Sequence, residues 1–336
     1  MPSQGILRRK RLTDCAPWIT FRPEIKVLDC SVRDGGLMND SKFDDSFVKA
    51  AYETCLSAGI DYMEIGYKNS KRVFPTDKYG PWRHCDEEDL RRIVGDNKTS
   101  LKLSAMADSG GKSDWKTDIL PKKDSVLDMI RVACYVSQMP EAMEMIWDAH
   151  EKGYETTCNI MAISVAKDAE IEQALRMVRE SPVSTVVIVD SFGALYSEQI
   201  GALVDKYQAA VDGTGKEVGI HAHNNQQLAF ANTIEAIVRG VNRVDSTFAG
   251  LGRGGGNCCT ELLLGFLRNP KYRIRPVWKL IEEHILDLQK TLDWGPLPHY
   301  IMTGQMNQHP RTAIRARDNE DPSKIVDFFD RCVSDV

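Results

Sequence analysis

Two histidines separated by one residue carry the clearest chemical signal in the sequence. His221 and His223 stand in the segment GIHAHNN, which has the composition of a β-strand. Residues i and i+2 of a strand project from the same face, so both imidazoles can reach one point while Ala222 points the other way. Two histidines and a carboxylate form a common site for a catalytic divalent cation, although a histidine pair alone is often only hydrogen-bonded.

Asp34 is the natural carboxylate for this site. It lies in the segment RDGG, which follows the first predicted strand. In a (β/α)8 barrel the active site is built at the carboxyl ends of the strands, where Asp34 and the two histidines would meet. The neighbouring Arg33 could hold a substrate carboxylate, stabilise an oxyanion on a substrate carbonyl, or simply form a surface salt bridge. The combination predicts a site for a catalytic divalent cation at the mouth of the barrel.

Further polar residues and a glycine-rich run follow other predicted strands. Glu64 and Asp190 could orient Arg33 or tune the metal from behind its ligands. The glycines of residues 250–256 would let the backbone approach a ligand closely. Asn257 after this run could cap the next helix, ligate the metal, or both. The substrate-binding candidates are therefore Arg33, Asp190, Ser191 and Gly254.

The sequence leaves the general base open. A base must remove a proton from a hydroxyl or from an enolisable carbon in this kind of chemistry. The candidates are His84, Tyr67, Tyr135 and Tyr300. His84 could instead simply precede a helix whose first turn is acidic.

The elements that must position these residues alternate between strand and helix from about residue 26 onward. About eight such units in roughly 250 residues favour a closed barrel over an open doubly wound sheet. A GxGxxG turn, usual after the first strand of the latter, is replaced here by VRDGGL. The predicted strands are 26–31, 62–67, 101–106, 130–135, 156–163, 186–191, 219–224 and 243–249, and the predicted helices include 45–58, 140–152, 169–180, 197–211, 227–239 and 260–267.

We therefore predict an α/β protein, a (β/α)8 TIM barrel with a C-terminal helical appendage. The expected divisions are an N-terminal tail (1–24), the catalytic barrel (25–268) and the helical appendage (269–336). The tail holds a basic run, RRKR at residues 8–11, which is more often a solvated terminus than an adhesive arm.

Composition excludes several classes of function. The 336 residues carry a net charge of -5, which gives no general attraction to nucleic acid or to anionic membranes. No apolar run approaches the roughly 20 residues that span a bilayer, and no secretory signal is visible. We expect a cytoplasmic protein whose nine cysteines are mostly buried thiols.

Five segments in order, LDCSVRDGG, DYMEIGY, DSFG, GIHAHNN and AGLGRGGGN, resemble the metal-dependent pyruvate-carboxyltransferase-like superfamily. This group, with its DRE-type barrel, includes 3-hydroxy-3-methylglutaryl-CoA lyase and 4-hydroxy-2-oxovalerate aldolase, and the chain looks nearest to aldolase-like members. The resemblance covers about residues 26–268. It implies that Asp34, His221 and His223 bind the metal, that Asn257 completes its environment, and that Arg33 stabilises an enolate.

The resemblance also implies a reaction. We expect an enzyme, a carbon–carbon lyase, that cleaves or forms a bond of a 4-hydroxy-2-oxo acid and releases a 2-oxo acid such as pyruvate and an aldehyde. The expected cofactor is Mn²⁺ or Mg²⁺, with Zn²⁺ or Co²⁺ possible by ligand type. Family members usually form homo-oligomers, and some aldolases dock an aldehyde dehydrogenase, although nothing in this sequence reports on either.

One departure from the family pattern bears on the mechanism. The aldolase carries a histidine, taken to be its base, three residues after the metal aspartate; here that position is Leu37. The synthase motif RDGEQ and the cysteine-bearing loop of the CoA lyase are missing as well. Two alternatives therefore stay open: a Claisen-type transferase that condenses an acyl-CoA with a 2-oxo acid, and a metal-binding homologue without catalysis.

Overall fold

Eight parallel strands close into a barrel in the computed structural model, which describes residues 22–334. The strands follow chain order around the barrel, and β8 closes on β1 with Leu28 beside Asp245. This architecture confirms the predicted TIM barrel. The strands are β1 Lys26–Asp29, β2 Tyr62–Tyr67, β3 Lys102–Asp108, β4 Met129–Cys134, β5 Glu155–Ile160, β6 Thr185–Asp190, β7 Glu217–Ala222 and β8 Arg243–Ser246.

Helices connect the strands and surround the barrel. The barrel helices are α1 Ser31–Gly35, α2 Asp45–Ala58, α3 Glu87–Val94, α4 Trp115–Asp118, α5 Met139–Glu151, α6 Asp168–Glu180, α7 Ser197–Val211, α8 Ala229–Val238 and α9 Thr260–Leu267. The C-terminal helices are α10 Ile274–Leu280, α11 Leu286–Leu288, α12 Pro298–Gln305, α13 Arg311–Asn319 and α14 Ile325–Ser334, with a π-helical turn Ile281–Ile285 between the first two.

The alternation of side chains along each strand explains the barrel. In β7, Ile220 and Ala222 belong to the main apolar core between the sheet and the helices, while His221 faces the barrel interior. The helices also end where predicted. Gly59 terminates α2 at φ 75°, and a Cβ there would lie 2.6 Å from the carbonyl oxygen of Lys271, so only glycine fits.

The first βα connection differs from the prediction. The strand was predicted to run to residue 31 and to be followed by a loop, but β1 ends at Asp29 and Ser31 begins the helical turn α1. The Asp29 carboxylate accepts a hydrogen bond from the Ser31 hydroxyl at 2.6 Å, and the same hydroxyl oxygen accepts one from the amide of Phe248. A side chain that bonds locally in this way competes with continued strand pairing.

The C-terminal helices lie against the loops at the carboxyl ends of the strands. The amide of Gly295 donates to the carbonyl of Gly254, and the indole of Trp294 donates to the carbonyl of Ala249 at 3.2 Å. The side-chain amide of Asn307 donates a hydrogen bond to the backbone carbonyl of Ser164. These contacts place the appendage beside the mouth of the barrel.

Two sequence features fall outside the described residues: the basic run at residues 8–11 and Cys15. Between residues 22 and 334, all cysteines except Cys259 are buried. Within that same range, no helix has the length and apolarity needed to cross a membrane.

Candidate active site

Asp34, His221 and His223 come together at the mouth of the barrel. One potential ligand atom of each lies within 4.8 Å of the others, and all three residues are buried. Asp34 is on α1, His221 is on β7, and His223 follows β7 in an isolated antiparallel bridge with Asn257. The two imidazole rings are 5.1 Å apart and nearly perpendicular. The structure thus brings together the residues that the sequence proposed as metal ligands.

The donor atoms at this point suit a divalent cation. In the described part of the chain, Nε2 of His221, Nδ1 of His223 and Oδ1 of Asn257 are buried without a hydrogen-bond partner. Buried polar atoms are normally paired, because an unpaired one costs about 1–3 kcal/mol. Two imidazole nitrogens, a carboxylate and an amide oxygen form the mixed donor set that first-row divalent ions and magnesium accept. The residues present therefore fit a metal ion.

A carboxylate behind His221 sets the tautomer of that histidine. Oδ2 of Asp245 lies 3.1 Å from Nδ1 of His221, so Nδ1 carries the proton and Nε2 is left with its lone pair. The Sγ of Cys30 lies 3.9 Å from the same Nδ1, and burial raises the pKa of this thiol well above its ordinary value. The grouping of Cys30, His221 and Asp245 is thus the rear of the same site.

A chain of ion pairs crosses the barrel interior. Arg33 contacts Asp34 through Nη1 at 2.8 Å and Glu64 through Nε at 2.6 Å. Arg131, on β4, forms ion pairs with both Glu64 and Asp245. Its guanidinium nitrogens lie 3.1 Å from the Glu64 carboxylate and 2.5 Å from the Asp245 carboxylate. All five residues are buried, so removal of one partner would leave an uncompensated charge. The network fixes both sides of the Asp34–His221–His223 cluster in one geometry.

The protonation states of the cluster favour a bound cation. Burial lowers the pKa of His223 to about 3, so this imidazole is neutral at physiological pH. Burial opposes ionisation of Asp34, but His223 and Arg33 outweigh it and hold the pKa of this carboxyl well below its usual range. Neutral imidazole and ionised carboxylate are the forms that bind metals.

Asn257 faces the site and does not cap the next helix. Its Nδ2 donates to Oδ2 of Asp34 at 2.5 Å and to the carbonyl of Leu251 at 3.3 Å. Helix α9 has Cys259 at its N-cap position. The glycine at position 252 makes this approach possible, because a Cβ there would collide with both Asn257 and Asp34.

Arg33 retains a free donor in the site. Its Nη1 and Nε are used in the ion pairs with Asp34 and Glu64, whereas Nη2 is buried without a partner among the described residues. A fixed, unpaired guanidinium N–H beside a metal cluster can donate to a developing oxyanion. Glu64 holds Arg33 from behind, as the sequence suggested.

Asp190 and Ser191 lie beside the site in different ways. The Asp190 carboxylate accepts hydrogen bonds from the amides of Ala194 and Leu195, so it holds the loop after β6. The Ser191 hydroxyl accepts from the amide of Ala162. The carbonyl of Ser191 is 3.4 Å from Nη2 of Arg253, next to Gly254 at φ 66°.

The four base candidates are not equivalent. Tyr67 lies near Arg33 under the guanidinium of Arg83, 4.5 Å from the ring centroid, and burial raises the pKa of Tyr67 to about 12. Tyr135 is half-buried beside Phe192 in the rim of the site. A phenol with a raised pKa is a hydrogen-bond donor at neutral pH and a poor base.

The structure does not bring His84 or Tyr300 to the cluster. Nδ1 of His84 lies 2.8 Å from the carbonyl of Asn69, and helix α3 with its acidic first turn follows it. Tyr300 is buried among the C-terminal helices against Ala313 and Phe328. The loose sequence similarity around Tyr300 could not show that its ring packs into a small core of the C-terminal helices.

An apolar wall replaces the histidine of the aldolase pattern. Leu37 packs with Tyr67, Met106, Ala133 and Met161 at the carboxyl end of the barrel. This cluster has no titratable group apart from the phenol of Tyr67. The side of the site next to Leu37 is therefore shaped to exclude water rather than to accept a proton.

Sequence reasoning missed three residues that complete the site: Arg131, Asp245 and Arg253. Arg131 on β4 and Asp245 on β8 face the interior of the barrel. A charged residue at an inward position of a strand was the signal that could have identified them. Arg253 interrupts the glycine run, and a long charged side chain among glycines was the available signal there.

Comparison with known proteins agrees with this geometry. The HMGL-like family model matches residues 132–293, which run from the end of β4 through β5 to β8 and include both histidines and Asn257. Over residues 132–293 the chain is therefore similar to the HMGL-like family. The matched region thus holds two of the three cluster residues, while Asp34 precedes it.

Curated proteins resemble this chain over most of their length. An oxaloacetate decarboxylase from Mycobacterium tuberculosis is 29% identical over 246 residues, which are 72% of this chain and 69% of the relative. A 4-hydroxy-2-oxovalerate aldolase from Pelotomaculum thermopropionicum is 28% identical over 256 residues, 75% of this chain and 72% of the relative. Both relatives bear the names of enzymes that break carbon–carbon bonds.

Solved structures share the barrel fold. The N-terminal domain of a candidate aldolase from Bacteroides vulgatus superposes with a TM-score of 0.74 at 25% identity, covering 88% of this chain and 97% of that one. A hydroxymethylglutaryl-CoA lyase from Pseudomonas aeruginosa gives a TM-score of 0.66 at 15% identity, covering 81% and 95%. The second likeness concerns the fold alone.

Proposed function

We propose that the protein is a divalent-metal-dependent carbon–carbon lyase that acts on a 2-oxo acid. The observation that carries the proposal is the convergence of Asp34, His221 and His223 within 4.8 Å, with unpaired donor atoms in a buried site. The relatives named aldolase and decarboxylase support it. Both reactions pass through an enolate beside a carbonyl, which is the charge that this site is built to meet.

We further propose that Asp34, His221, His223 and Asn257 hold Mn²⁺ or Mg²⁺. The carboxylate and amide oxygens favour hard cations, and the two imidazoles extend the range to Zn²⁺ or Co²⁺. When bound, the cation supplies a Lewis acid for the carbonyl of the 2-oxo acid. Ser191 and Gly254 border the entrance, and neither supplies a charged group.

The residues of the chain perform the remaining work. Glu64 holds Arg33 so that its free Nη2 can donate to the enolate oxygen as negative charge develops there. The salt bridge to Asp34 keeps the guanidinium from rotating away. Tyr67, protonated because of its raised pKa, can donate a hydrogen bond on the same side. None of these groups accepts a proton readily.

The apolar wall around Leu37 favours one reaction among the lyases. Aldol cleavage needs a base for the substrate hydroxyl, whereas loss of carbon dioxide from a 3-carboxylated 2-oxo acid needs none. A water-poor surface also weakens solvation of a leaving carboxylate. Decarboxylation of an oxaloacetate-like substrate is therefore a second candidate, favoured by Leu37, beside cleavage of a 4-hydroxy-2-oxo acid.

A substrate comparison tests the proposal. The Mn²⁺-loaded protein would be assayed for pyruvate release from oxaloacetate and from 4-hydroxy-2-oxovalerate, and for exchange of the C3 protons of pyruvate in deuterated water. The proposal expects at least one of these activities, lost in His221→Ala and retained in His150→Ala, an exposed histidine on α5. Metal-loaded protein without any of the three would leave a binding protein as the correct description.

A further inference from the structure

Four cations gather at the entrance without carboxylate partners. Within residues 22–334, Arg253, Arg311, Arg315 and Lys112 form no ion pair, although the chain has a net charge of -5 and pairs many other cations. Exposed cations are commonly unpaired, so three of these residues alone would mean little. The position of Arg253 is what distinguishes the group.

Arg253 is held inside the entrance and not in solvent. It is only partly exposed, its Nη2 approaches the carbonyl of Ser191 at 3.4 Å, and its Nε is buried without a partner. Burial lowers the pKa of this guanidinium, and Arg311 adds to the effect, while Asp34 opposes it. Arg253 therefore lies within electrostatic reach of both the metal cluster and helix α13. A buried guanidinium with an unused N–H is costly unless something else binds it.

The C-terminal appendage brings the other arginines to the same place. Cβ of Pro310 lies 3.3 Å from the position of a Cβ built on Gly254, and the ring of His309 is 5.3 Å from that of Phe192. Helix α13 starts at Arg311, so Arg311 and Arg315 are one turn apart on one face. Burial lowers the pKa of His309 to about 3, and the charges of Arg253, Arg311, Arg315 and Lys112 contribute to this shift.

We propose that Arg253, together with Arg311, binds a second anionic group of the substrate, a carboxylate or a phosphate, at the end remote from the metal. This inference rests on the proposed function, since it describes the substrate of that same site. The metal and Arg33 would hold the 2-oxo acid end, and the Arg253 end would select substrates with two negative groups. A substrate with an uncharged tail would leave the Arg253 guanidinium desolvated and unpaired, which costs affinity.

Binding to metal-free protein tests the anion site separately from the chemistry. Titration calorimetry on EDTA-treated protein would use inorganic phosphate and succinate as probes, because one represents a phosphate tail and the other a carboxylate tail. We expect at least one probe to bind, with affinity about tenfold weaker or worse in R253Q, since a charge-assisted hydrogen bond contributes about 1.5–3 kcal/mol. R311Q should weaken binding less, because that residue is exposed.

The control is R273Q, which changes an exposed arginine whose amide contacts the carbonyl of Ala58 near the far end of the barrel. R273Q should bind the probes as the unmodified protein does. The proposal would be overturned if neither probe bound to the unmodified protein. It would also be overturned if R253Q bound the probes as tightly as the unmodified protein, or if R273Q lost as much affinity as R253Q.

Kinetics with the Mn²⁺-loaded enzyme give a second readout. We expect kcat/KM to be at least about tenfold higher for 4-hydroxy-2-oxoglutarate than for 4-hydroxy-2-oxovalerate, which lacks the second carboxylate, and this ratio to fall toward one in R253Q. Equal kcat/KM values in the unmodified enzyme would contradict the anion site. Intact probe binding without turnover of any 2-oxo acid would instead contradict the proposed lyase and leave the anion site standing.

Discussion

Asp245 lies directly behind His221, with its Oδ2 3.1 Å from Nδ1 of the imidazole and 2.5 Å from a guanidinium nitrogen of Arg131. The carboxylate thus performs two tasks with one oxygen: it fixes the tautomer of a metal ligand and ends the chain of ion pairs that begins at Asp34. The position of the candidate ligand is therefore coupled to the charge balance of the barrel interior.

Substitution of Asp245 by Asn should weaken metal binding. The new amide can donate to Nδ1 of His221, which moves the ring proton to Nε2 and blocks the ligand atom. We expect a 10- to 100-fold loss of Mn²⁺ affinity, measured by electron paramagnetic resonance of free Mn²⁺. Asp205→Asn changes an exposed carboxylate paired with Arg239 and should bind Mn²⁺ normally. If folded Asp245→Asn protein bound Mn²⁺ with unchanged affinity, Asp245 would not control the tautomer of His221.

Gly252→Ala should damage the site without unfolding the barrel. The added Cβ collides with Nδ2 of Asn257 and Oδ2 of Asp34, so one of these two side chains must move. We expect at least about a tenfold loss of Mn²⁺ affinity by the same titration, since it displaces a ligand. Gly265→Ala is the matched control, because its Cβ would meet nothing closer than 3.8 Å. Equal affinities in the two variants would show that the Asn257–Asp34 contact is dispensable.

Stability of the metal-free protein should fall in mild acid. The pKa of His223 is lowered from 6.5 to about 3 by burial, so the unfolded chain takes up a proton that the folded protein resists. Stability is thus lost as the pH falls below 6.5, and at pH 4.5 the loss from this residue is about 1–3 kcal/mol. Urea unfolding of unmodified and His223→Gln protein between pH 7.5 and 4.5 measures the difference. The control His150→Gln changes an exposed histidine and should keep the full pH dependence of stability. If His223→Gln also kept the full pH dependence, His223 would not be its source.

Leu37→His should change the balance between two reactions. The imidazole would stand where the aldolase pattern has its base, so we expect cleavage of 4-hydroxy-2-oxovalerate to rise by about 10²-fold relative to decarboxylation of oxaloacetate. A polar group in the cluster of Tyr67, Met106 and Met161 should also cost about 1–3 kcal/mol of stability. Leu37→Met controls for the change of shape. A ratio of rates equal in the two variants would show that this wall does not select the reaction.

Arg33→Lys should separate catalysis from metal binding. A lysine keeps the positive charge beside Asp34 but cannot reach Glu64 and the enolate oxygen at the same time, because it lacks the planar fork. We expect kcat to fall by about 10²- to 10³-fold while Mn²⁺ affinity changes only a few-fold. Steady-state kinetics at saturating metal measure the effect. Arg273→Lys serves as the exposed control. If Arg33→Lys left kcat unchanged, Arg33 would not stabilise the enolate oxygen.

The sequence was sufficient for the barrel and the cluster, because both follow from periodicity. Alternating strand and helix segments, with Gly59 ending α2, favoured a closed α/β architecture. The HxH spacing placed both imidazoles on one face of the predicted strand, although β7 itself ends at Ala222. The ion-pair partners inside the barrel could not be predicted from the sequence. The contacts of Arg131 with both Glu64 and Asp245 depend on the stagger of three strands distant in sequence, which no local pattern records.

The appendage shows the same limit. Its helices were expected from polarity and the Gly/Pro break, but the packing of Tyr300 into its own small core depends on tertiary contacts with α13 and α14. The approach of Pro310 to Gly254 likewise depends on how the appendage docks. The linear sequence therefore could not predict the basic cluster of Lys112, Arg253, Arg311 and Arg315.

Anomalous scattering from a crystal soaked with Mn²⁺ and oxalate tests the central claim most directly. We predict a single strong peak bonded to Asp34, Nε2 of His221 and His223, with Asn257 beside it and oxalate facing Nη2 of Arg33. A site without a peak, or a peak that leaves both histidines uncoordinated, would contradict the metal-dependent lyase.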